Sequence, residues 1–439
     1  MNEQSLYDRY HVSPLLKKIV DGIAMSGNTN APFQVHLQNL NGSSPVFVLQ
    51  HIFTHPQTAT YNHVIVLNDA EEAAYFYNSI ESITGAMDLF YFPSSFKTSQ
   101  NFNLLNPSHV MLRTEALTKL SMGGNKKIVV TYPEAFFEKV IMPKTLQENI
   151  IQIKTNDTLG LNDLMERLVQ YGFERTDFVY EPGQFALRGG IFDIYSFGNE
   201  KPYRVELFGE EVDSIRLFDP ETQLSERKLL QVNIIPNVTT QFEDTIKIPF
   251  MEFVPEHTVV WLKDWTLIQQ RGNDQMEALE AFLLHAPILK ITDDADTHKK
   301  NTDKDDFVSV DKVIEQVFNK PIIEWGFQAN LTKQKLAFST QVQPSFNRQF
   351  QYLIANLQEY EKKGYDLFLF AEQAKQLERL HAIFTDLKTE IQFTPIVKNI
   401  HEGFIDHEHK LLCYTDHQIF QRYHKYKVKQ AYTKSKAIT

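Results

Sequence analysis

Cysteine is almost absent from this chain of 439 residues, which has one, Cys413. A single cysteine cannot form a disulfide within the chain, and such scarcity is typical of a reducing compartment. The chain also lacks any apolar run of the roughly 18–20 residues that a membrane-spanning helix needs, and its N-terminus has no apolar signal segment. We therefore expect a cytoplasmic protein without membrane contacts, in which Cys413 is a small buried residue.

Positive charge is in deficit. The chain has 44 Lys and Arg against 55 Asp and Glu, a net charge of −11. Proteins that coat a nucleic-acid duplex need clustered cations for phosphate contacts, so this balance disfavours that class, although it leaves room for a local basic patch. With 42% hydrophobic residues, the composition is that of a globular protein, and the length predicts about three domains. The sequence does not determine the oligomeric state, and a monomer is our default expectation.

A working phosphate loop is missing where the pattern would place one. Residues 36–49 read "HLQNLNGSSPVFVL", a strand-like run followed by a glycine turn. In the pattern G-x-x-x-x-G-K-[ST], Asn39 falls at the first glycine, Ser44 at the second, Pro45 at the lysine and Val46 at the hydroxyl. Proline offers neither a cation nor an N–H group. No acidic helicase box follows an apolar strand elsewhere, so we expect a structural turn and no ATP hydrolysis.

The hydrophobic pattern predicts an α/β protein, because strand-like and helix-like runs alternate between residues 33 and 140. The strand-like runs are "PVFVLQHIF", "HVIVLND", "DLFYFP" and "KKIVVTYP", and the helix-like runs are "DAEEAAYFYNSI" and "RTEALTKL". After Pro143 comes a helix, with Asp163 and Glu166 as a capping pair and Gly172 as its end. Extended runs separated by turns then predict a small antiparallel sheet inserted into the parallel one.

These patterns divide the chain into six segments. We expect an N-terminal helical segment at 1–30, the first part of the α/β lobe at 31–142, an inserted α+β domain at 143–230, the second part of the lobe at 231–343, a small α/β third domain at 344–425 and a basic linker at 426–439. Within the second part of the lobe, the charged stretch 293–306 predicts a loop.

The stretch "HEGFIDHEHK" concentrates possible metal ligands, which are His401, Asp406, His407, Glu408 and His409. Its spacing fits no zinc pattern, because HExxH would need a histidine at position 405. A polar hairpin loop is the interpretation that we favour, with no metal.

The inserted sheet offers a candidate binding face. Alternation along "FALRGGIFDIY" predicts that Arg188 and Phe192 share one face, while alternation along "YRVELF" puts Arg204 and Glu206 together. Arginine beside an exposed aromatic is typical of an interface anchor. A solvated sheet face with Phe192 packed beneath its neighbours explains the pattern equally well, and a bulge at the glycines 189 and 190 would shift the register.

The run "GFERTDFVYEPGQFALRGGIFDIYSFG", followed by "KPYRVELFGEEVDSIRLFDPETQLS", resembles the module shared by UvrB and the bacterial transcription-repair coupling factors, the Mfd family. The shared features are a PGxFAxRGGIxDI core, an RVELFGEEVDSIRxFDPETQ hairpin and a preceding GF-x-R. A weaker resemblance extends over the whole chain.

The resemblance implies the N-terminal portion of such a factor, in which a UvrB-like, helicase-type lobe is split by a domain that binds UvrA. Gly42 and Ser43 would mark a degenerate nucleotide loop. It further implies that the linker at 426–439 leads toward a polymerase-binding domain absent from this sequence, which makes the sequence a fragment. RNA polymerase and DNA would be contacted by such downstream domains, and ATP and Mg²⁺ would serve the family's motor, so that this part needs no cofactor.

Matching motif to motif, the resemblance assigns UvrA binding to Arg175, Arg188 and Phe192, with Arg204 and Glu206 as a second contact pair. Ala186 departs from UvrB, which often has an arginine there. The implied function is recruitment of UvrA to stalled RNA polymerase in nucleotide excision repair. Two alternatives stay open: a UvrB-like, DNA-dependent ATPase or helicase lobe, and a nucleic-acid-binding module that uses the basic tail and the arginine face.

Overall fold

The computed structural model describes residues 2–27, 31–242, 245–285, 299–327 and 331–430. Parts of the predicted charged loop at 293–306 and of the basic linker at 426–439 lie outside these ranges. Within them, no helix is both long and apolar enough to cross a bilayer.

The first unit is a parallel sheet with flanking helices, and an inserted unit divides its sequence into two parts. The first part contains α1 (Gln4–His11), α2 (Pro14–Ser26), β1 (Gln34–Gln38), α3 (Ser44–Thr54), β2 (Asn62–Val66), α4 (Ala70–Thr84), β3 (Leu89–Phe92), β4 (Phe96–Thr98), β5 (Asn101–Leu105), α5 (Pro107–Ser121), β6 (Ile128–Thr131), α6 (Pro133–Phe136), β7 (Val140–Ile141) and α7 (Pro143–Glu148).

The inserted unit contains β8 (Ile151–Lys154), α8 (Leu161–Gln170), β9 (Glu174–Arg175), β10 (Gln184–Arg188), β11 (Ile191–Ile194), β12 (Tyr203–Phe208), β13 (Glu211–Phe218), β14 (Ser225–Leu229) and β15 (Gln231–Ile234). Its six-stranded sheet has the order β14-β13-β12-β11-β10-β9. All neighbours are antiparallel except β9 and β10, and β8 pairs with β15 in a separate ribbon. The helix α8 packs through Leu168 onto the core of this unit.

The second part of the first unit contains β16 (Lys247–Ile248), α9 (Phe250–Phe253), β17 (Thr258–Lys263), α10 (Trp265–His285), a short 3-10 helix (Lys304–Asp306), α11 (Val310–Val317), β18 (Ile322–Trp325) and β19 (Gln334–Ala337). Together the two parts form a seven-stranded sheet of order β19-β1-β18-β17-β2-β6-β3, parallel throughout. The predicted fold class, a parallel α/β lobe split by an antiparallel α+β unit, is confirmed.

The third unit contains β20 (Thr340–Val342), α12 (Phe350–Lys362), β21 (Asp366–Phe370), α13 (Ala374–Asp386), β22 (Thr394–Ile396), β23 (Phe404–Asp406), β24 (Leu411–Thr415) and α14 (Asp416–Ile419). Its five strands have the order β20-β23-β24-β21-β22. One face of this sheet forms a core with α12 and α13, and the other joins the core of the first unit, where Phe404 lies 5.4 Å from Phe47 of α3. Cys413 is buried and free, as predicted.

Two local predictions were wrong. The run "PVFVLQHIF" lies in α3 and not in a strand. This helix is buried on nearly all sides, so it lacks the amphipathic period that separates a helix from a buried strand. The helix α8 begins at Leu161, so Asp163 and Glu166 lie inside it and no side chain caps its N-terminus.

The predicted polar hairpin is confirmed for residues 404–415, where β23 and β24 are antiparallel. At its turn the Asp406 carboxylate accepts hydrogen bonds from the backbone N–H groups of Glu408 and His409, at 3.1 and 3.0 Å.

Candidate functional site

A tight hairpin turn determines which side chains share the face of the inserted sheet. Arg188 at the end of β10 pairs directly with Ile191 at the start of β11. Gly189 has a φ of +58°, and a Cβ on Gly190 would lie 2.8 Å from the carbonyl oxygen of Leu207. Both positions of the turn therefore favour glycine. Residues paired across such a turn point to the same side of the sheet, so Arg188 and Ile191 share a face.

Phe192 consequently lies on the face opposite Arg188, and the prediction that they share one is wrong. Its side chain is fully buried in the core of the inserted unit, where it packs with Phe185. Simple alternation fails across the glycine pair, because the chain reverses there and Arg188 pairs with Ile191. Phe192 cannot enter a partner's pocket from this position.

Asp193 organises the arginine face. Its carboxylate is fully buried and accepts hydrogen bonds from Arg204 Nε and Nη2, at 2.8 and 2.9 Å, and from Arg188 Nη2 at 2.8 Å. Two guanidinium groups thus pair with one buried carboxylate, so these three side chains together carry a net positive charge. The hydrogen bonds to Asp193 also raise the pKa of Arg204.

The two arginines differ in how far their side chains are exposed to a partner. Arg204 stacks over Phe218 at 4.4 Å, donates to the carbonyl of Gln223 and keeps 13% of its side chain exposed. Arg188 keeps 32% exposed and lies 4.2 Å from the ring centre of Phe178, which is itself 48% exposed. The exposed arginine–aromatic pair of this face is therefore Arg188 with Phe178.

The remaining predicted residues lie at different places. Glu206 shares the arginine face, where it accepts a hydrogen bond from Ser214 Oγ at 2.6 Å and lies 3.7 Å from Arg216 Nη2. Arg175 is exposed in the edge strand β9, and its register partner is Phe185, so it leaves the sheet on the side opposite Arg188.

The sequence pattern did not predict Asp193 and Phe178 as residues of this face. Asp193 carried a signal, because an acid alternating with arginines along adjacent strands indicates an ion-paired face. Phe178 carried none, since it lies in an irregular segment between β9 and β10, where no periodicity relates it to the strand face.

The segment predicted to be a degenerate nucleotide loop, residues 39–46, lies at the junction of β1 and α3, and the third unit covers it. The Ser43 N–H group donates to the carbonyl oxygen of Glu402 at 3.0 Å, and the Glu402 N–H group donates to Ser43 Oγ at 3.0 Å. In a working loop, N–H groups at this helix start would bind phosphate oxygens. A Cβ on Gly42, which has a φ of +56°, would lie 2.7 Å from the carbonyl oxygen of Gly403.

The other loop residues have structural roles. Asn39, with a φ of +59°, accepts a hydrogen bond at its carbonyl from Thr340 Oγ1 at 2.6 Å. Pro45 occupies the first turn of α3, a position that tolerates a missing N–H group. Ser44 Oγ donates to the Asn41 carbonyl at 2.7 Å, and Val46 is fully buried.

A cavity of about 280 Å³ lies beside this loop. Its lining includes one lysine, Lys263, and four carboxylates, those of Asp69, Glu71, Glu72 and Glu402. Lys263 is already paired with Glu72, and burial lowers its pKa. A polyphosphate would meet excess negative charge here, and a short-range repulsion of like charges opposes its binding.

The inserted unit matches a known protein family. Residues 151–239 match the family model described as the UvrB interaction domain. Over 262 residues, 60% of the chain, the sequence is 28% identical to the transcription-repair-coupling factor of Bacillus subtilis. The chain is a relative of the N-terminal region of these factors.

The sequence also matches two further coupling factors. Over 172 residues, 39% of the chain, it is 30% identical to the factor of Staphylococcus aureus, and over 136 residues, 31% of the chain, it is 26% identical to that of Haemophilus influenzae. The matches cover 20%, 14% and 12% of the Bacillus, Staphylococcus and Haemophilus factors. The chain therefore spans about a fifth of the length of the Bacillus factor and a smaller share of the other two.

Proposed function

We propose that this chain is a non-catalytic docking module of transcription-coupled repair, which recruits UvrA to stalled RNA polymerase in nucleotide excision repair. The observation that carries the proposal is the match of residues 151–239 to the UvrB interaction domain, together with the exposed Arg188–Phe178 pair on that unit. Contacts with RNA polymerase and DNA belong, in this proposal, to domains that the family carries further along its chain.

The chemistry of the arginine face suits an acidic and partly apolar partner surface. Arg188 is held in place by Asp193 and by the Asp177 carbonyl, so little side-chain freedom is lost when it pairs with a partner carboxylate. Phe178 adds an apolar ring beside the charge. A rigid arginine next to an aromatic is the composition of a binding hot spot.

The ATPase or helicase alternative is disfavoured by the loop. The Glu402 carbonyl takes the Ser43 N–H group that a phosphate would use, and Pro45 stands where a lysine would be needed. We propose that this module neither binds nor hydrolyses a nucleotide.

The nucleic-acid-binding alternative is disfavoured by the pairing of basic residues near the C-terminus of the described chain. Lys427 pairs with Glu372 at 2.5 Å and Lys429 with Glu115 at 3.0 Å. Lysines already bound to carboxylates release fewer counterions from DNA, which weakens any electrostatic contribution to binding.

The test is a binding titration of the chain with purified UvrA. We expect Phe178→Ala to weaken binding by about 2–4 kcal/mol, or roughly 30-fold or more, because it removes an anchor. Arg188→Lys should weaken it too, since lysine keeps the charge but loses the planar guanidinium.

The matched control is Arg227→Ala. Arg227 is exposed on the edge strand β14, one residue from Lys228, which is the register partner of Arg216. Arg227 therefore faces away from the arginine face, and its loss should leave binding unchanged. Equal affinity for UvrA in the Phe178→Ala variant and the unmodified chain would contradict the proposed surface, and no binding by either would contradict the proposed function.

A further inference from the structure

Three histidines from separate segments meet where the third unit contacts α4. His401 lies between β22 and β23, His417 lies in α14, and His424 follows α14. A ring nitrogen of each lies within 4.8 Å of one from each of the others. His401 and His424 lie 23 positions apart in the sequence, so only folding brings the three side chains together.

The cluster is held from several sides. The Nδ1 atoms of His401 and His424 are 3.0 Å apart. His417 contacts the His401 carbonyl oxygen through Nε2 and Thr415 Oγ1 through Nδ1, both at 2.6 Å. The ring of Tyr75 in α4 stacks on His401 with 3.7 Å between centres.

The rings are also in the form that binds metals. Burial lowers the pKa of His401 to about 4 and that of His417 to about 3, and it lowers the pKa of His424. At neutral pH the rings are therefore uncharged, and a neutral imidazole nitrogen is a metal ligand. Among the described residues, the buried Nε2 of His424 has no hydrogen-bond partner.

We propose that His401, His417 and His424 form a binding site for a divalent transition metal, with zinc as the expected ion. Imidazole nitrogens suit zinc, whereas magnesium and calcium require oxygen ligands, and the cluster offers none from a carboxylate. Three protein ligands leave one tetrahedral position for water.

The nitrogen distances are compatible with this assignment, whereas the rings, which lie within about 21° of parallel, must reorient. Zinc–nitrogen bonds of about 2.0–2.1 Å in a tetrahedron separate the nitrogens by roughly 3.4 Å. This separation lies between the 3.0 Å of the His401–His424 pair and the 4.8 Å limit of the cluster. The rings of His417 and His424 are stacked, 13° from parallel. Coordination therefore requires these rings to rotate, and His417 gives up one of its two hydrogen bonds.

A bound metal would fasten the segment at residues 421–430 to the rest of the molecule. This segment already runs along α4, where Tyr75 Oη donates to the His424 carbonyl at 2.5 Å and the Asn78 amide group makes two 2.6 Å hydrogen bonds with the Lys427 backbone. Metal binding would thus link the first unit, the third unit and this segment, and it would stabilise the folded chain.

The test is a cobalt titration of the untagged, chelator-treated chain, because Co²⁺ reports tetrahedral coordination by visible absorption and can be displaced by Zn²⁺. We expect one Co²⁺ per chain with micromolar or tighter affinity, and an unfolding temperature that rises with added Zn²⁺. His424→Ala should weaken Co²⁺ binding by at least about tenfold.

The control is His381→Ala, which removes an exposed histidine of α13 outside the cluster and should leave Co²⁺ binding unchanged. His424 lies on the peripheral segment, so its variant tests the site even if His401→Ala fails to fold, and circular dichroism of each metal-free variant checks folding. Failure of the unmodified chain to bind at 100-micromolar Co²⁺, or undiminished binding by His424→Ala, would overturn the proposal.

Discussion

At the residue scale, neighbours in the sequence have opposite roles on the inserted sheet. Ile191 and Phe192 are adjacent in β11, yet Phe192 is fully buried and Ile191 is 36% exposed. The sequence could place Arg204 and Glu206 together, because a regular strand alternates. It could not place Phe192 relative to Arg188, since the conformation of Gly189 and Gly190 decides whether the two side chains point to the same face of the sheet.

Phe192→Ala should lower the free energy of unfolding of the inserted unit by about 3–5 kcal/mol, because it leaves a cavity in a closed core. Ile191→Ala is the matched comparison and should lower it by less than about 1 kcal/mol, since the side chain is partly exposed. Urea unfolding followed by tryptic cleavage within residues 151–239 measures both. Equal effects of the two variants would contradict the assignment of faces.

At the element scale, the strands and helices with a clear period were predictable. β2, β3 and β6 and the helices α4 and α5 lie where the apolar runs placed them. The helix α3 was not predictable, because α1, α2 and α4 pack against it and its Phe47 contacts Phe370 and Phe404 of the third unit. Burial on nearly every side removes the polar stripe that identifies a helix.

The loop before α3 leads to a prediction about nucleotide binding. Restoring its missing chemistry with Pro45→Lys and Val46→Thr should not create ATP binding, because the Glu402 carbonyl holds the Ser43 N–H group and the adjoining cavity is acidic. Calorimetric titration of the double variant with ATP and Mg²⁺ should show no heat of binding. Micromolar binding would instead mean that residues 402 and 403 move aside readily.

At the scale of the whole molecule, buried histidines make stability depend on pH. Burial lowers the pKa of His63 in β2 to about 3, and Trp261 Nε1 donates to its Nδ1 at 3.1 Å. Below about pH 6.5 the unfolded chain binds a proton here that the folded chain does not. Stability contributed by the neutral ring is therefore complete above pH 6.5 and declines as the pH falls toward 3.

We expect the free energy of unfolding to be lower at pH 5 than at pH 7.5, with about 2 kcal/mol of the difference from His63 alone. His63→Gln keeps a hydrogen-bond acceptor but does not titrate, so its pH dependence should be flatter by that amount. Urea unfolding of both chains at the two pH values measures the difference. Parallel pH profiles would contradict this prediction, because they would show that folding does not lower the pKa of His63.

The sequence by itself determined the α/β class, the inserted antiparallel sheet, the missing phosphate-loop lysine and the family resemblance, because each depends on local periodicity or on a short motif. Tertiary structure alone decided three other features: the aromatic partner of Arg188, the contact of Glu402 with the turn before α3 and the meeting of three histidines. Each of these joins residues whose contact depends on a turn or on the packing of one unit against another. Such contacts leave no regular pattern along the chain.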